Sequence, residues 1–173
     1  MAENQQPQQP QGERQFALRS IYIKDLSYEA PNAPEIFRQD WKPETSLHLD
    51  IKLAALSEDT HEVVLTVTVT TKVGEQTAYL IEIQQAGIVS VAGFAKEELG
   101  PLFYVYCPSL LFPYARQAVS DLVAKGGFPH LLLQHVSFDA IYAQKQAEQQ
   151  DQPQSQPPHA DDVEGPAAGE TTH

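Results

Sequence analysis

Four segments that alternate apolar and polar residues with period two, followed by two segments with helical spacing, predict an α+β domain. The expected architecture is a four-stranded antiparallel sheet with two helices packed on one face. Alternation that is apolar on one side only indicates one covered and one wetted sheet face. Gln-, Pro- and acid-rich ends with almost no large apolar side chains predict disordered N- and C-terminal tails.

In the first strand, strict alternation puts Phe16, Leu18, Tyr22, Leu26 and Tyr28 on one face. Arg19, Asp25, Ser27 and Glu29 share the other face with Ile21 and Ile23. In the second, Leu47, Leu49, Ile51 and Leu53 alternate with Ser46, His48, Asp50 and Lys52. The third sets Val63, Leu65, Val67, Val69 and Val73 opposite Glu62, Thr66, Thr68, Thr70 and Lys72. The fourth sets Tyr79, Ile81 and Ile83 opposite Leu80, Glu82 and Gln84. Val73-Gly74-Glu75-Gln76 is a turn signal that favours a hairpin between strands three and four.

Pro108 suits the first turn of a helix in which Leu111, Ala115, Ala118 and Leu122 recur, and Gly126-Gly127 ends it. Pro113 is expected to bend that helix, since its nitrogen donates no hydrogen bond. A second helix starts at Ser137 or Asp139, with Phe138, Ile141 and Tyr142 on its apolar side.

The chain has 173 residues, 11 Lys and Arg against 23 Asp and Glu, and a formal net charge of −12. Residues 16–145 hold 15 acids and 10 bases, whereas residues 146–173 hold six acids and no base. Half of the excess therefore lies in the C-terminal tail. The organisation expected is a tail over 1–15, a folded unit over 16–150 and an acidic tail over 151–173. A chain this acidic is a poor nucleic-acid binder, because phosphate contacts need clustered Lys and Arg. Without a basic stripe, a membrane-length apolar run or a charged-then-apolar leader, the expectation is a soluble cytoplasmic protein with no membrane insertion.

Candidate chemistry is sparse. The sequence contains no phosphate-cradling glycine loop, no G-x-S-x-G and no H-E-x-x-H. His48 falls on the polar face of a strand and His61 at a turn. His130 and His135 lack acidic neighbours placed to complete a metal site. The single cysteine, Cys107, excludes an internal disulfide and reads as a small buried hydrophobe. Asp25 and Glu29 are four apart on a strand, roughly 13 Å, too far to share a catalytic centre. The expectation is no catalytic residue, no metal and no cofactor.

Apolar residues in loops stand out instead. Leu131-Leu132-Leu133 cannot all point inward, and Trp41 sits in the polar, proline-containing stretch Phe37–Pro43. Phe103, Tyr104, Tyr106, Phe112 and Tyr114 crowd the approach to the first helix. They fill either a small core or oligomer interface, or a shallow apolar groove under a loop hinged at Gly126-Gly127.

Several runs carry a family resemblance. Ile21-Tyr22-Ile23-Lys24-Asp25-Leu26-Ser27-Tyr28-Glu29-Ala30-Pro31-Asn32-Ala33-Pro34 resembles the N-terminal signature of the bacterial export chaperone SecB. Asp40-Trp41-Lys42-Pro43-Glu44 and Leu111-Phe112-Pro113-Tyr114-Ala115-Arg116 resemble the same family, as do Gly127-Phe128-Pro129 and Val136-Ser137-Phe138-Asp139-Ala140-Ile141-Tyr142. The match covers about 16–145. Ser137 stands where the family usually has Asn, Phe94–Tyr106 matches weakly, and the tails match poorly.

The resemblance implies a homotetramer, a dimer of dimers, that binds unfolded preproteins without nucleotide. It also implies their delivery to the translocase motor ATPase SecA. The expected client groove comprises Trp41, Leu47, Leu49, Leu131, Leu133, Phe138 and Ile141. Asp25, Glu29, Leu80 and Glu82 are the expected SecA-binding patch on the wetted face, where the resemblance places SecA's zinc-bearing basic tail. A passive assembly module and a diverged enzyme using Cys107 or His130 are the competing readings.

Overall fold

Valine, isoleucine, threonine and tyrosine at every second position favour a pleated, half-buried surface. They build four strands: β1 (Gln15–Glu29), β2 (Pro43–Ala55), β3 (Thr60–Val73) and β4 (Gln76–Ala92). The computed structural model describes residues 13–150; of the disordered tails expected over 1–15 and 151–173, only residues 13–15 are described, and Gln15 already opens β1. All neighbouring strands are antiparallel, in the order β1-β4-β3-β2, which leaves β1 and β2 as the sheet edges.

The central pair forms the floor of the core. Val63, Leu65, Val67 and Val69 of β3 and Ile81 and Ile83 of β4 are wholly buried on one face. Only Gly74 and Glu75 separate β3 from β4, and Gly74 has φ +57°, the left-handed geometry of a tight hairpin turn. The turn expected at this position is the one observed.

Strict alternation fails in β1. Its register against β4 shifts between Leu18 and Ser20 and again between Ile23 and Asp25, so Arg19 and Lys24 are extra residues. Each bulge reverses the parity of the strand beyond it. Ile21 and Ile23 therefore align with Gly87 and Gln85 on the covered side, and Tyr22 aligns with Ala86 on the open side. The expected faces of these three residues are corrected accordingly. The second bulge restores the expected faces of Asp25, Leu26, Ser27, Tyr28 and Glu29.

One helical run covers this sheet. It starts earlier than Pro108, as α1 (Lys96–Pro101), continues through a π-helical turn (Leu102–Tyr106) and becomes α2 (Cys107–Lys125). The wide turn accommodates Pro108, which has no amide to donate, and leaves carbonyls to be satisfied otherwise. Ser109 Oγ donates to the Val105 carbonyl at 2.7 Å. Pro113 lies inside α2, which carries on to Lys125.

Helix α2 lies across β4 and β3. Leu111, Phe112, Ala115, Val119 and Val123 form its buried face. Gly87 permits the close approach, because a Cβ there would lie 3.0 Å from Leu111 Cδ2. Gly126 ends the helix beneath Tyr28, whose hydroxyl would sit 2.0 Å from an added Cβ. The chain then returns without regular structure to α3 (Phe138–Gln150). Phe138 packs edge-on against Phe112 at 5.9 Å, and Tyr142 stacks on Tyr104 at 6.1 Å.

Candidate functional site

A strand that alternates apolar and polar residues carries one apolar face along its whole length, including any part that a covering helix does not reach. Helix α2 spans β4 and β3, leaving β2 beyond its main footprint. Leu47, Leu49, Ile51 and Leu53 pair with Val69, Val67, Leu65 and Val63 and share their face. Their partners are buried, whereas Leu49, Ile51 and Leu53 are half-buried and Leu47 is 38% exposed. The result is an apolar shelf roughly 20 Å long from Leu47 to Leu53.

An aromatic cluster closes one end of the shelf. Phe128 centres it, with Phe37 at 4.8 Å, Tyr79 at 4.9 Å and Trp41 at 5.6 Å between ring centroids. Trp41 is half-buried and Phe37 is exposed. From Phe128 the chain runs through Leu131, half-buried, and Leu132, 58% exposed, to Leu133, buried. Gly127, at φ +80°, makes the turn into this segment, and Ser120 Oγ lies 3.0 Å from His130 Nε2 across it.

Of the seven residues expected in a groove, Trp41, Leu49, Leu131 and Ile141 are half-buried against the core and Leu47 is exposed. Leu133 and Phe138 do not: they are 6% and 2% exposed. Their assignment as contact residues is corrected to that of core residues supporting the groove wall. Alternation already contained Ile51 and Leu53, which extend the shelf. Phe37 and Phe128 gave no sequence signal, because their stacking joins residues some ninety positions apart.

The opposite face of the sheet is open. Cross-strand pairs Ser27–Glu82 and Glu29–Leu80 bring Asp25, Glu29, Leu80 and Glu82 together on neighbouring strands. Asp25 and Glu29 are exposed, and Glu82 and Leu80 are half-buried. Thr68 Oγ1 donates to Glu82 Oε2 at 3.3 Å.

Further along this face, Glu62 is 9% exposed and receives both Lys24 Nζ, at 2.6 Å, and the Tyr22 hydroxyl. The Lys24 and Tyr22 hydrogen bonds hold its carboxyl below the usual range against the opposing effect of burial. The bond to Glu62, aided by burial, pushes the Tyr22 hydroxyl up to about 12. Sequence reasoning missed this cluster, whose partners lie about forty residues apart.

Of the candidate reactive groups, Cys107 is buried and His130 is engaged by Ser120 Oγ at 3.0 Å. Burial pushes the Cys107 thiol up to about 12, where it is a poor nucleophile. Among the described residues, no group of three or more His, Cys, Asp or Glu side chains is placed to hold a metal ion. No described helix is long and apolar enough to cross a membrane.

Comparison with known proteins adds the family. Residues 6–149 match the family model described as preprotein translocase subunit SecB. A protein-export protein SecB from Nitrosococcus oceani is 54% identical over 149 residues, covering 85% of this chain and 91% of the relative. One from Methylococcus capsulatus is 52% identical over 157 residues, covering 91% and 98%. A SecB-like chaperone from Mycobacterium tuberculosis, solved with a ChAD peptide from an antitoxin, has the same fold, with TM-score 0.60 and 18% identity. That likeness covers 70% of this chain and 91% of the solved one.

Proposed function

The chain belongs to the SecB family of protein-export chaperones, and from that premise we propose how it works. It holds unfolded preproteins along the β2 shelf, without nucleotide or cofactor, and passes them to SecA through the open sheet face. The carrying observation is the apolar face of β2 extending beyond α2, with Leu47 38% exposed.

A holder of unfolded chain needs apolar area without shape specificity. The shelf supplies it through Leu47, Leu49, Ile51 and Leu53, bounded by Trp41 and by the segment carrying Leu131. Ile141 adds a half-buried apolar side chain on α3, which packs against the π-helical turn, and Leu133 and Phe138 belong to the core beneath. Contacts of this kind are individually weak at about 25 cal/mol per Å². Several linked grooves in one assembly raise the total affinity by effective concentration.

We propose a homotetramer, a dimer of dimers. Support comes from the unpaired edge of β1, with Ile23 48% and Leu26 39% exposed, and from the exposed rings of Tyr106 and Tyr114. Asp25, Glu29, Leu80 and Glu82 form the SecA-docking patch, and a basic, zinc-bearing partner segment complements its charge. The protein acts in the cytoplasm, before translocation, and the family's work is holding rather than catalysis.

The decisive experiment measures aggregation of a slow-folding precursor with and without the full chain, in the absence of nucleotide. Suppression at near-equal amounts of tetramer is the expected result. Insensitivity would favour an assembly module in which Leu131–Leu133 seal an interface. An effect that depends on turnover or covalent capture would favour an enzyme.

A further inference from the structure

The open face is not uniformly acidic. Lys24 directly precedes Asp25 in β1, so its ammonium begins beside the carboxylates proposed to meet a basic partner. A lysine head on a flexible stem neutralises a neighbouring carboxylate whenever nothing else holds it. Here something does. Lys24 is the extra residue of the second β1 bulge, and bulges re-aim side chains. Its Nζ crosses toward β3 and lies 2.6 Å from Glu62 Oε2.

The site that receives it is built from both faces of the sheet. Glu62, 9% exposed, also takes the Tyr22 hydroxyl. From the covered side, Gln85 Nε2 donates to the Tyr22 carbonyl at 2.8 Å, fixing the backbone just before the bulge. Glu62 lies in the cross-strand row of Ile88 and Ser20, whereas Asp25 lies in the row of Gln84 and Thr66. Those rows are four residues apart along β4, roughly 13 Å. Lys24 is therefore drawn away from Asp25, Ser27 and Glu29.

We infer that Glu62 is a positioning residue for the docking patch: it sequesters the charge of Lys24 so that Asp25 and Glu29 meet a basic partner un-neutralised. The inference rests on the open-face reading proposed above. A partly exposed ion pair of this kind stabilises a fold only slightly, so its effect is felt mainly in the local field.

The test titrates the full chain with a short Lys/Arg-rich peptide by calorimetry at low salt, using Glu62→Gln, Lys24→Met and the double variant. Glu62→Gln is expected to weaken binding about tenfold, Lys24→Met to change it by no more than about twofold, and the double variant to return within about threefold of wild type. The signature is that removing Lys24 matters only when Glu62 is gone. Effects of the two single changes that simply multiply in the double variant would overturn the inference.

A second readout does not need the peptide. Acylation of Lys24, followed by mass spectrometry, should proceed about fivefold faster in Glu62→Gln than in wild type. Equal rates would overturn the clamp. Client holding by each variant reports its folding. If Glu62→Gln does not fold, Lys24→Met alone decides, because a tightening of about tenfold would mean that Lys24 already acts on the patch in the native chain. Absence of peptide binding by wild type would sink the open-face reading instead, leaving acylation to judge the clamp.

Discussion

On the covered face of the sheet, β2 presents Leu47, Leu49, Ile51 and Leu53, whereas on the open face the same strand presents Ser46, His48, Asp50 and Lys52. β1 and β4 divide similarly between Leu26, Tyr28, Ile81 and Ile83 on one side and Asp25, Glu29 and Glu82 on the other. One backbone therefore offers two kinds of contact. Apolar burial is non-directional and tolerates many sequences, which suits a holder of unfolded chain. Charge is long-ranged, screened by salt and selective for sign, which suits one defined partner.

The largest expected effect breaks the two faces apart. Leu47→Asp with Leu49→Asp should remove roughly 3 kcal/mol of apolar contact, on the order of a hundredfold in client affinity. Aggregation assays should show lost holding while light scattering shows an intact assembly and a basic peptide still binds. Unchanged client affinity in that folded variant would sink the shelf assignment.

Gly126→Ala attacks the covered face through packing. The new Cβ would meet the Tyr28 hydroxyl at 2.0 Å, so about 2 kcal/mol of destabilisation is expected from the urea midpoint. An unshifted midpoint would mean that Tyr28 moves aside freely.

Glu82→Lys probes the open face. It should weaken SecA binding about tenfold at low salt, with the difference shrinking as salt rises, and leave client holding untouched. If affinity proves independent of both salt and this charge, the carboxylates are plain surface.

The smallest effects appear in the pH dependence of stability. Glu62 has a depressed carboxyl, so its contribution is present above the unfolded carboxylate range and lost as pH falls through its lower folded value. Tyr22 and Cys107 are both raised to about 12, so their contributions are full below their unfolded values of 10.0 and 9.0. They are lost progressively as pH climbs to about 12. Urea midpoints across pH should therefore fall at both extremes, and Lys24→Met should blunt the acid limb. A wild-type acid limb in that variant would remove Glu62 from the account.

Much of this was legible in residue order. The three cleanest strands, the Gly74 hairpin, α2 ending at Gly126 and the open-face positions of Asp25, Glu29, Leu80 and Glu82 all derive from periods and turn chemistry, which act within a few positions. The misreadings have a common origin. Ile21, Tyr22 and Ile23 fell on the wrong faces because a bulge adds one residue without a compositional mark, and alternation propagates that error until the next bulge. Leu133 and Phe138 look as apolar as Leu47 in sequence, yet Phe112 and the core enclose them. The helix start at Lys96 was hidden by Pro101 and Pro108, which a π-turn accommodates.

By itself, then, the order of residues determined the four strands, the bodies of α2 and α3, which face of β2 is apolar and where the acidic surplus lies, because these depend on local sterics and periodicity. Tertiary structure alone decided how much of each apolar face remains uncovered and that Lys24 turns to Glu62 rather than to Asp25. Both depend on where one element ends relative to another, and on contacts between side chains that β4 separates in space and some forty residues separate in sequence.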